Sequence, residues 1–593
     1  MKLLRLKITN PTGFRSLPCG FEHHFRTEWV LQEELAKPEK FAPFVCAGPN
    51  GSGKSNLLEA LASIFFQLEI LRVRRSFLPE ALQNADEDLS PEAFELDYLI
   101  RVPAEYIQPD GPLWAKVCVW KNSGESVRFL WDNQSDFNAG FYETFEGGHA
   151  DILMPQYVLG YSSGENEILS LPFFKLRFVQ FDEYWNALTQ QLSYPGHPET
   201  RLAYLDNGFS QAILLCNLLF QDDTTLKPFR EDIGIEALRQ FRIIIKRSIE
   251  VSAKQAEQLT SGDYASPEYS EDGYFADNPA ISLNAATGAY TVNLMRLLEG
   301  DERSSIIEKL KRCATLSYQD ETTDTLILDY WVNEATREAF RENFDDSPLD
   351  LFQALQVLLV LNLYSVSDNL KTDIYRSKSH YVSETVPTLA SDERVTRFKN
   401  FYLKKQGVAK PMLLKELSDG EHQLLHSLGL CLLFRNTNSL FLLDEPETHF
   451  NPAWRASFIS RLRECLKEHG KNSQEMLITT HSPFLISDSK PSKVLVFEKN
   501  PDTHEVRITH PEYNTLGASI NKITHETLEK SETIGERARQ ILEDLLSEHT
   551  AKSDPHGLAR KIMDTVGDSI ERTLAVHALL HSSQKKENKK GHD

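Results

Sequence analysis

The octet Gly48-Pro49-Asn50-Gly51-Ser52-Gly53-Lys54-Ser55 constrains the fold of this chain more than any other segment. It follows the apolar run 41–47, which reads as a strand. It precedes residues 55–66, where Leu57, Leu58, Leu61 and Ile64 share one helical face. A strand, a glycine-rich turn and a helix in that order aim unpaired backbone N–H groups at a helix N-terminus, where an anion is favoured. Gly48, Gly51 and Gly53 give the turn the dihedral freedom it needs. The pattern G-x-x-x-x-G-K-S predicts a phosphate loop, with Lys54 reaching the outer phosphates and the Ser55 hydroxyl on Mg2+.

A second apolar run, 440–443, has no polar alternation, as expected of a strand covered on both faces of a parallel sheet. It ends in Asp444 and Glu445. Asp444 is placed to hold Mg2+ through water and Glu445 to polarise an attacking water. Without the phosphate loop the same two acids would read as a solvated turn. Residues 418–434 predict a helix with Ser418 at its N-cap and Leu424, Leu425, Leu428 and Leu432 inward. Its N-terminus can present Ser418 and the Gly420 amide to a γ-phosphate. Residues 476–480 predict a further buried strand, ending at His481, a candidate contact to the same phosphate.

The octet, Leu417-Ser418-Asp419-Gly420-Glu421, the acid-tipped strand and Thr480-His481-Ser482 together resemble the ABC-type ATPase heads of the SMC, RecF and OLD groups. Asp444-Glu445-Pro446-Glu447-Thr448-His449-Phe450-Asn451-Pro452 resembles the Asp-Glu-Pro-Glu-x-His-Leu-His-Pro of RecF- and OLD-like proteins. Asn451 departs from the usual His and is assigned no catalytic role. Gly13-Phe14-Arg15-Ser16-Leu17 resembles the opening turn of RecF-type heads, and residues 3–8 alternate like an edge strand. The resemblance implies ATP and Mg2+, with Glu445 and His481 catalytic and Ser55 and Asp444 on the metal. Residues Gly48 to Ser55, with Ser418 and Gly420, would bind the nucleotide. It also implies that Ser418 serves the opposite subunit, so that a homodimer or higher oligomer sandwiches ATP between heads.

Two further segments, Tyr161-Ser162-Ser163-Gly164-Glu165-Asn166-Glu167 and Asn514-Thr515-Leu516-Gly517-Ala518-Ser519, are similar to segments of PtuA-like ATPases of Septu and retron antiphage systems. That narrower resemblance implies a separate HNH nuclease as partner. In retron versions it also implies a reverse transcriptase with its DNA–RNA hybrid.

The implied fold class is α/β: an ABC-type head with a mixed central sheet and helices on both faces. Residues 1–200 would form its first half, 201–410 a large, mainly helical insertion, 411–510 the second half, and 511–593 a helical extension with a disordered basic tail from Lys585. Runs at 93–101 and 116–120 predict an antiparallel lobe, 157–160 a strand, and 494–497 with 506–509 a closing hairpin. Helical apolar spacing marks 212–220 and 235–249, whereas 260–280 reads as a loop. No sustained heptads predict a long coiled coil. Residues 533–546 predict a capped helix, and Leu558, Ile562, Val566, Ile570 and Leu574 a second one. The polar turn after 157–160 is expected to sense the γ-phosphate, with Gln156 and Gln180 both open as its glutamine.

With 593 residues, 41% hydrophobic and 25% charged, the composition is that of a large globular chain. The net charge of −22 argues against a broad, non-specific DNA surface, leaving local strips at Arg72, Arg74 and Arg75 or at Lys404 and Lys405. The seven cysteines contain no C-x-x-C pair. The apolar stretch 351–366 is interrupted by Gln353, Gln356 and Asn362 and is short for a membrane span, so a cytoplasmic location is expected. Three functions compete: an ATP-gated switch over a separate antiphage nuclease, a RecF/SMC-like clamp that closes on DNA, and a scaffold that binds ATP but hardly turns it over.

Overall fold

Strands that are apolar on both faces need cover on both sides, and the chain provides it. The computed structural model describes all residues except 37–40, 74–77, 84–88, 139–148, 164–166, 168, 252–273, 276–277, 285–288, 301–304, 379–384, 467–473, 501, 504, 529–533, 549–553 and 591–593. Its central sheet has seven strands. In spatial order they are β21 (Val506–Thr509), β20 (Val494–Lys499), β3 (Phe44–Ala47), β19 (Glu475–Thr479), β18 (Ser439–Asp444), β7 (Tyr157–Ser162) and β8 (Leu202–Tyr204). All are parallel except β21, which returns antiparallel along β20 as the expected hairpin.

Alternation along β18 divides the core. Leu440 and Leu442 pack with the phosphate-loop helix Lys54–Arg72 and the first half of helix Leu171–Thr189. Phe441 and Leu443 pack with helices Asn207–Phe220, Pro348–Val360, Asp419–Leu433 and Pro452–Cys465. All four side chains are fully buried, each contributing on the order of 2 kcal/mol. This is the expected α/β architecture, with helices on both faces of a mixed sheet. Pro348–Ser365 is long and apolar enough to cross a membrane by length and composition, but 50% of it is buried within the protein.

The expected antiparallel lobe is a five-stranded sheet ordered β2 (Glu22–His24), β1 (Lys2–Ile8), β4 (Phe94–Arg101), β5 (Trp114–Lys121) and β6 (Arg128–Trp131). β1 is not the edge strand that its alternation suggested; it pairs with β2 on one side and β4 on the other. Buried Arg26 fastens the lobe to the central sheet, bonding the Leu3 carbonyl at 2.7 Å and Glu475 of β19 at 2.7 and 3.0 Å.

The insertion departs from its predicted helical character. One sheet runs β14 (Leu316–Asp320), β15 (Thr325–Trp331), β9 (Ile235–Lys246), β16 (Thr396–Lys405), β17 (Met412–Leu413). Another runs β10 (Ser248–Val251), β13 (Ala289–Asn293), β12 (Asn278–Asn284), β11 (Tyr274–Phe275). Residues 235–249 are therefore strand. Ile235, Leu238 and Phe241 are spaced like a helical face because the β9–β16 register shifts at Leu403 and Lys405, which breaks strict alternation. Residues 212–220 do lie in a helix. The expected loop at 260–280 falls mostly outside the described residues, and its last part belongs to β12.

At the C-terminus, helices Glu536–Glu548, Pro555–Thr565 and Ile570–Lys590 share a small core around Leu542, Leu545, Leu558, Ile562 and Val566. The single helix predicted across 558–574 is two, because the chain turns extended at Val566 before Gly567 and restarts where Ser569 Oγ accepts the Arg572 N–H at 3.1 Å. The tail from Lys585 is helical to Lys590 rather than disordered; its Lys and Glu residues are good helix formers.

Candidate nucleotide site

The phosphate loop is folded tightly against its surroundings. Gly48 (φ +144°) stands where a Cβ would lie 2.5 Å from the Phe497 carbonyl oxygen, and Gly53 (φ +102°) where one would lie 2.8 Å from Ser16 Oγ. No side chain fits at either position. Lys54 curls back, its Nζ donating to the carbonyls of Gly48 (3.1 Å) and Pro49 (3.0 Å). Burial pushes its pKa down, against the opposing pull of Glu445 and Asp444. Ser52 Oγ is buried in the loop without a partner among the described residues, as expected of a hydroxyl awaiting a phosphate oxygen.

Parallel strands bring their carboxyl ends to one edge, which is where ligands bind in such sheets. Ser162, Asp444 and Thr479 are direct register partners across β7, β18 and β19. Asp444 is 2% exposed. Its Oδ1 accepts from Ser55 Oγ at 2.8 Å and from Thr479 Oγ1 at 2.5 Å, and its Oδ2 from Ser162 Oγ at 3.4 Å. A Mg2+ octahedron with bonds of about 2.1 Å places neighbouring oxygens about 3 Å apart. The Ser55 oxygen fits one corner of one, and Asp444 lies close enough to hold a water at a neighbouring corner.

Glu445 follows with a left-handed backbone (φ +49°), a conformation costing a non-glycine residue about 1–2 kcal/mol. Its N–H donates to Thr479 O (3.2 Å) and Oγ1 (3.0 Å), which over-determine the turn. The carboxylate is thereby carried 3.3 Å from His481 Nε2, and that hydrogen bond holds its pKa below the usual carboxylate value. Two residues on, Glu447 is buried and accepts the Thr480 hydroxyl, and its Oε2 has no partner among the described residues. Burial pushes it up to about 7.

The signature segment is built differently. Ser418 caps helix Asp419–Leu433 in a reciprocal box with Glu421: Ser418 N–H donates to Glu421 Oε2 (2.8 Å) and Glu421 N–H to Ser418 Oγ (3.4 Å). Ser418 is exposed. A Cβ on Gly420 would lie 2.7 Å from the His449 carbonyl oxygen, so this helix end is seated on the loop after Glu445. Gln423 Oε1 accepts the His449 N–H at 2.8 Å. Among the described residues, neither Ser418 nor Gly420 bonds to the phosphate loop.

Lys54, Ser55, Asp444, Glu445 and His481 thus converge, whereas Ser418 is exposed and Gly420 packs on His449 at a separate helix end. Neither glutamine serves the sensing turn. Gln156 lies at the far end of β7, accepting the Asn438 N–H at 2.8 Å, and Gln180 is buried against Thr200 and Gln356. The turn after β7 instead offers Ser162 to Asp444 and Ser163 to Thr448 (2.9 Å). Residues 164–166 of that segment lie outside the described residues. Ser162 and Thr479 were missed because their contact with Asp444 depends on strand register, which no local motif records. The 514–519 segment packs after His481, with Gly517 N–H donating to Ser487 O at 2.8 Å. The candidate basic strips are largely neutralised. Lys404 pairs with Glu236, Lys405 with Glu421, and Arg72 with Glu69 and Asp151; Arg74 and Arg75 lie outside the described residues.

Residues 307–487 match the family model described as "AAA domain, putative AbiEii toxin, Type IV TA system". Over that span the chain is similar to an AAA-type ATPase domain. The matched span includes the signature helix, Asp444, Glu445 and His481, and it begins well after the phosphate loop. Among solved structures, the chain is similar to an SMC head bound to the C-terminal winged-helix domain of ScpA (12% identity, 86% of this chain, 96% of that one, TM-score 0.29). It is also similar to the SMC head domain from Thermotoga maritima (12% identity, 86% and 100%, TM-score 0.27). With scores this low, the architecture rests on the strand order and site geometry above.

Proposed function

We propose that this protein hydrolyses ATP in a site completed by a second copy of itself, and that the resulting opening and closing switches a separate nuclease in antiphage defence. The observation that carries the hydrolytic reading is the direct Ser55–Asp444 contact beside the Glu445–His481 pair. Ser55 and Asp444 would hold Mg2+, which neutralises charge on the phosphate oxygens. Lys54 exchanges its carbonyl partners for the β- and γ-phosphates, and the loop amides cradle them. Glu445, ionised at neutral pH and anchored by His481, accepts a hydrogen bond from the attacking water and sets its line of approach. A carboxylate of lowered pKa is a weak base, so orientation is its main contribution. Ser418 and the Gly420 amide reach the γ-phosphate held by the opposite chain.

The partner reading rests on the 161–167 and 514–519 resemblances, and the effector is an HNH-type nuclease, with a reverse transcriptase and its hybrid in a retron setting. A cytoplasmic location accords with such partners. Neutralised basic strips and a charge of −22 weigh against the DNA-clamp alternative. Tagging the chain in its own operon and purifying the native complex tests this. A co-purifying nuclease whose activity changes with ATP is the expected result. A lone protein that binds duplex DNA on ATP addition would replace the switch with the clamp.

A further inference from the structure

Behind the phosphate-loop helix lies a second cavity of about 390 Å3, separate from the nucleotide site. Small-molecule sites span about 300–1,000 Å3. Glu59, Ser63 and Phe66 of helix Lys54–Arg72 form one wall, and Lys175 of helix Leu171–Thr189 forms another. Arg376 and Lys378, where helix Asp368–Arg376 ends, form the rim.

Lys175 is the anomaly. It is 8% exposed, yet among the described residues its Nζ has only the Ser377 carbonyl at 2.7 Å and the Phe66 ring face at 5.7 Å. Burial, with the nearby cations Lys378 and Arg15, pushes its pKa down to about 8. The carboxylates nearby are already engaged: Glu59 holds Arg15 at 2.8 Å, and Glu92 holds Lys378 at 2.7 Å. A buried ammonium without a counter-ion is costly, and the cost is relieved when an anion enters. Lys175, with Arg376 and the Glu92-paired Lys378 at the rim, gives the opening a positive face that favours a phosphate over a single carboxylate. Phe14, Phe66 and Leu171 add apolar surface for an organic portion.

We propose that this cavity binds a small organic phosphate of mononucleotide size, with its phosphate on Lys175 between Arg376 and Lys378 and its apolar part against Phe14 and Phe66. Glu59 and Ser63 lie one and two turns beyond Ser55 on the same helix, so the two sites share one rigid element.

Equilibrium dialysis of the full-length Lys54→Ala protein, in which the phosphate loop is silenced, tests this with radiolabelled AMP, GMP and orthophosphate as probes. One AMP or GMP should bind per chain, at least about tenfold tighter than orthophosphate. Adding Lys175→Met should weaken binding about tenfold or more, the loss expected for a charged hydrogen bond, and Lys175→Arg should restore most of it. Lys378→Glu, on the exposed rim where it also gives up the Glu92 pair, should weaken binding several-fold, with circular dichroism showing that the fold is kept. No saturable binding to the Lys54→Ala protein would overturn the proposal. So would binding unchanged by both Lys175→Met and Lys378→Glu, or orthophosphate binding as tightly as the nucleotides.

Discussion

The two ends of the nucleotide machinery are built on opposite plans. At the carboxyl edge of the central sheet, Ser55, Ser162, Asp444 and Thr479 are locked together within one chain, and Asp444 is almost wholly buried. At the start of helix Asp419–Leu433, Ser418 is exposed and, among the described residues, its hydroxyl is engaged by its own Glu421 alone. The first end is complete in a single copy. In the proposed function, the second acquires a phosphate partner only when another copy is brought to it. Gly420 against His449 and Gln423 against the same backbone tie that outward end to the loop following Glu445.

The contrast can be broken most severely at the inner end. Lys54→Ala should lower ATP affinity by at least about a hundredfold, since a buried charged partner of the phosphates is lost; isothermal titration with Mg-ATP measures it, and near-native affinity would remove the phosphate loop from its role. Glu445→Gln should leave affinity within a few-fold and slow single-turnover hydrolysis by roughly 10^2–10^3, as for loss of one well-placed polar group. An unchanged rate would take Glu445 out of the reaction. Ser418→Arg sharpens the comparison from the other side. ATP binding to one copy should hold within about threefold while ATP-dependent dimers disappear in sedimentation velocity runs. A dimer that persists would mean that the exposed end is not an interface.

The smallest effect concerns the loop that joins the two ends. Glu447 has its pKa raised from 4.5 to about 7 by burial, so the folded chain keeps a proton that the unfolded chain releases. Its contribution to stability is therefore greatest below pH 4.5 and falls as pH rises through 7, by up to about 3 kcal/mol. Glu447→Gln should flatten that slope, gaining stability over the wild type at pH 8 but not at pH 4. Urea denaturation at the two pH values tests this, and parallel curves would contradict the assignment.

The inner end was legible in the sequence because its chemistry is written locally. The glycines, Lys54 and Ser55 are contiguous, and Asp444 and Glu445 close an apolar run that only a buried strand explains. What sequence spacing could not supply was strand direction and register. Gln156 was a plausible sensor until β7 proved to run away from it, and Ser162 and Thr479 reach Asp444 only because three parallel strands end level. The insertion was misread for a related reason. Bulged pairing lets Ile235, Leu238 and Phe241 of β9 point inward at every third position, the interval that otherwise marks a helix.

Mixing two inactive chains tests the central claim most directly. Lys54→Ala keeps an intact signature end, and Ser418→Arg keeps an intact phosphate loop. If each site draws one end from each chain, either variant alone should be inactive and their mixture should regain steady ATP turnover through one composite site. A mixture as inactive as its components, or a Ser418→Arg chain that hydrolyses ATP normally by itself, would contradict it.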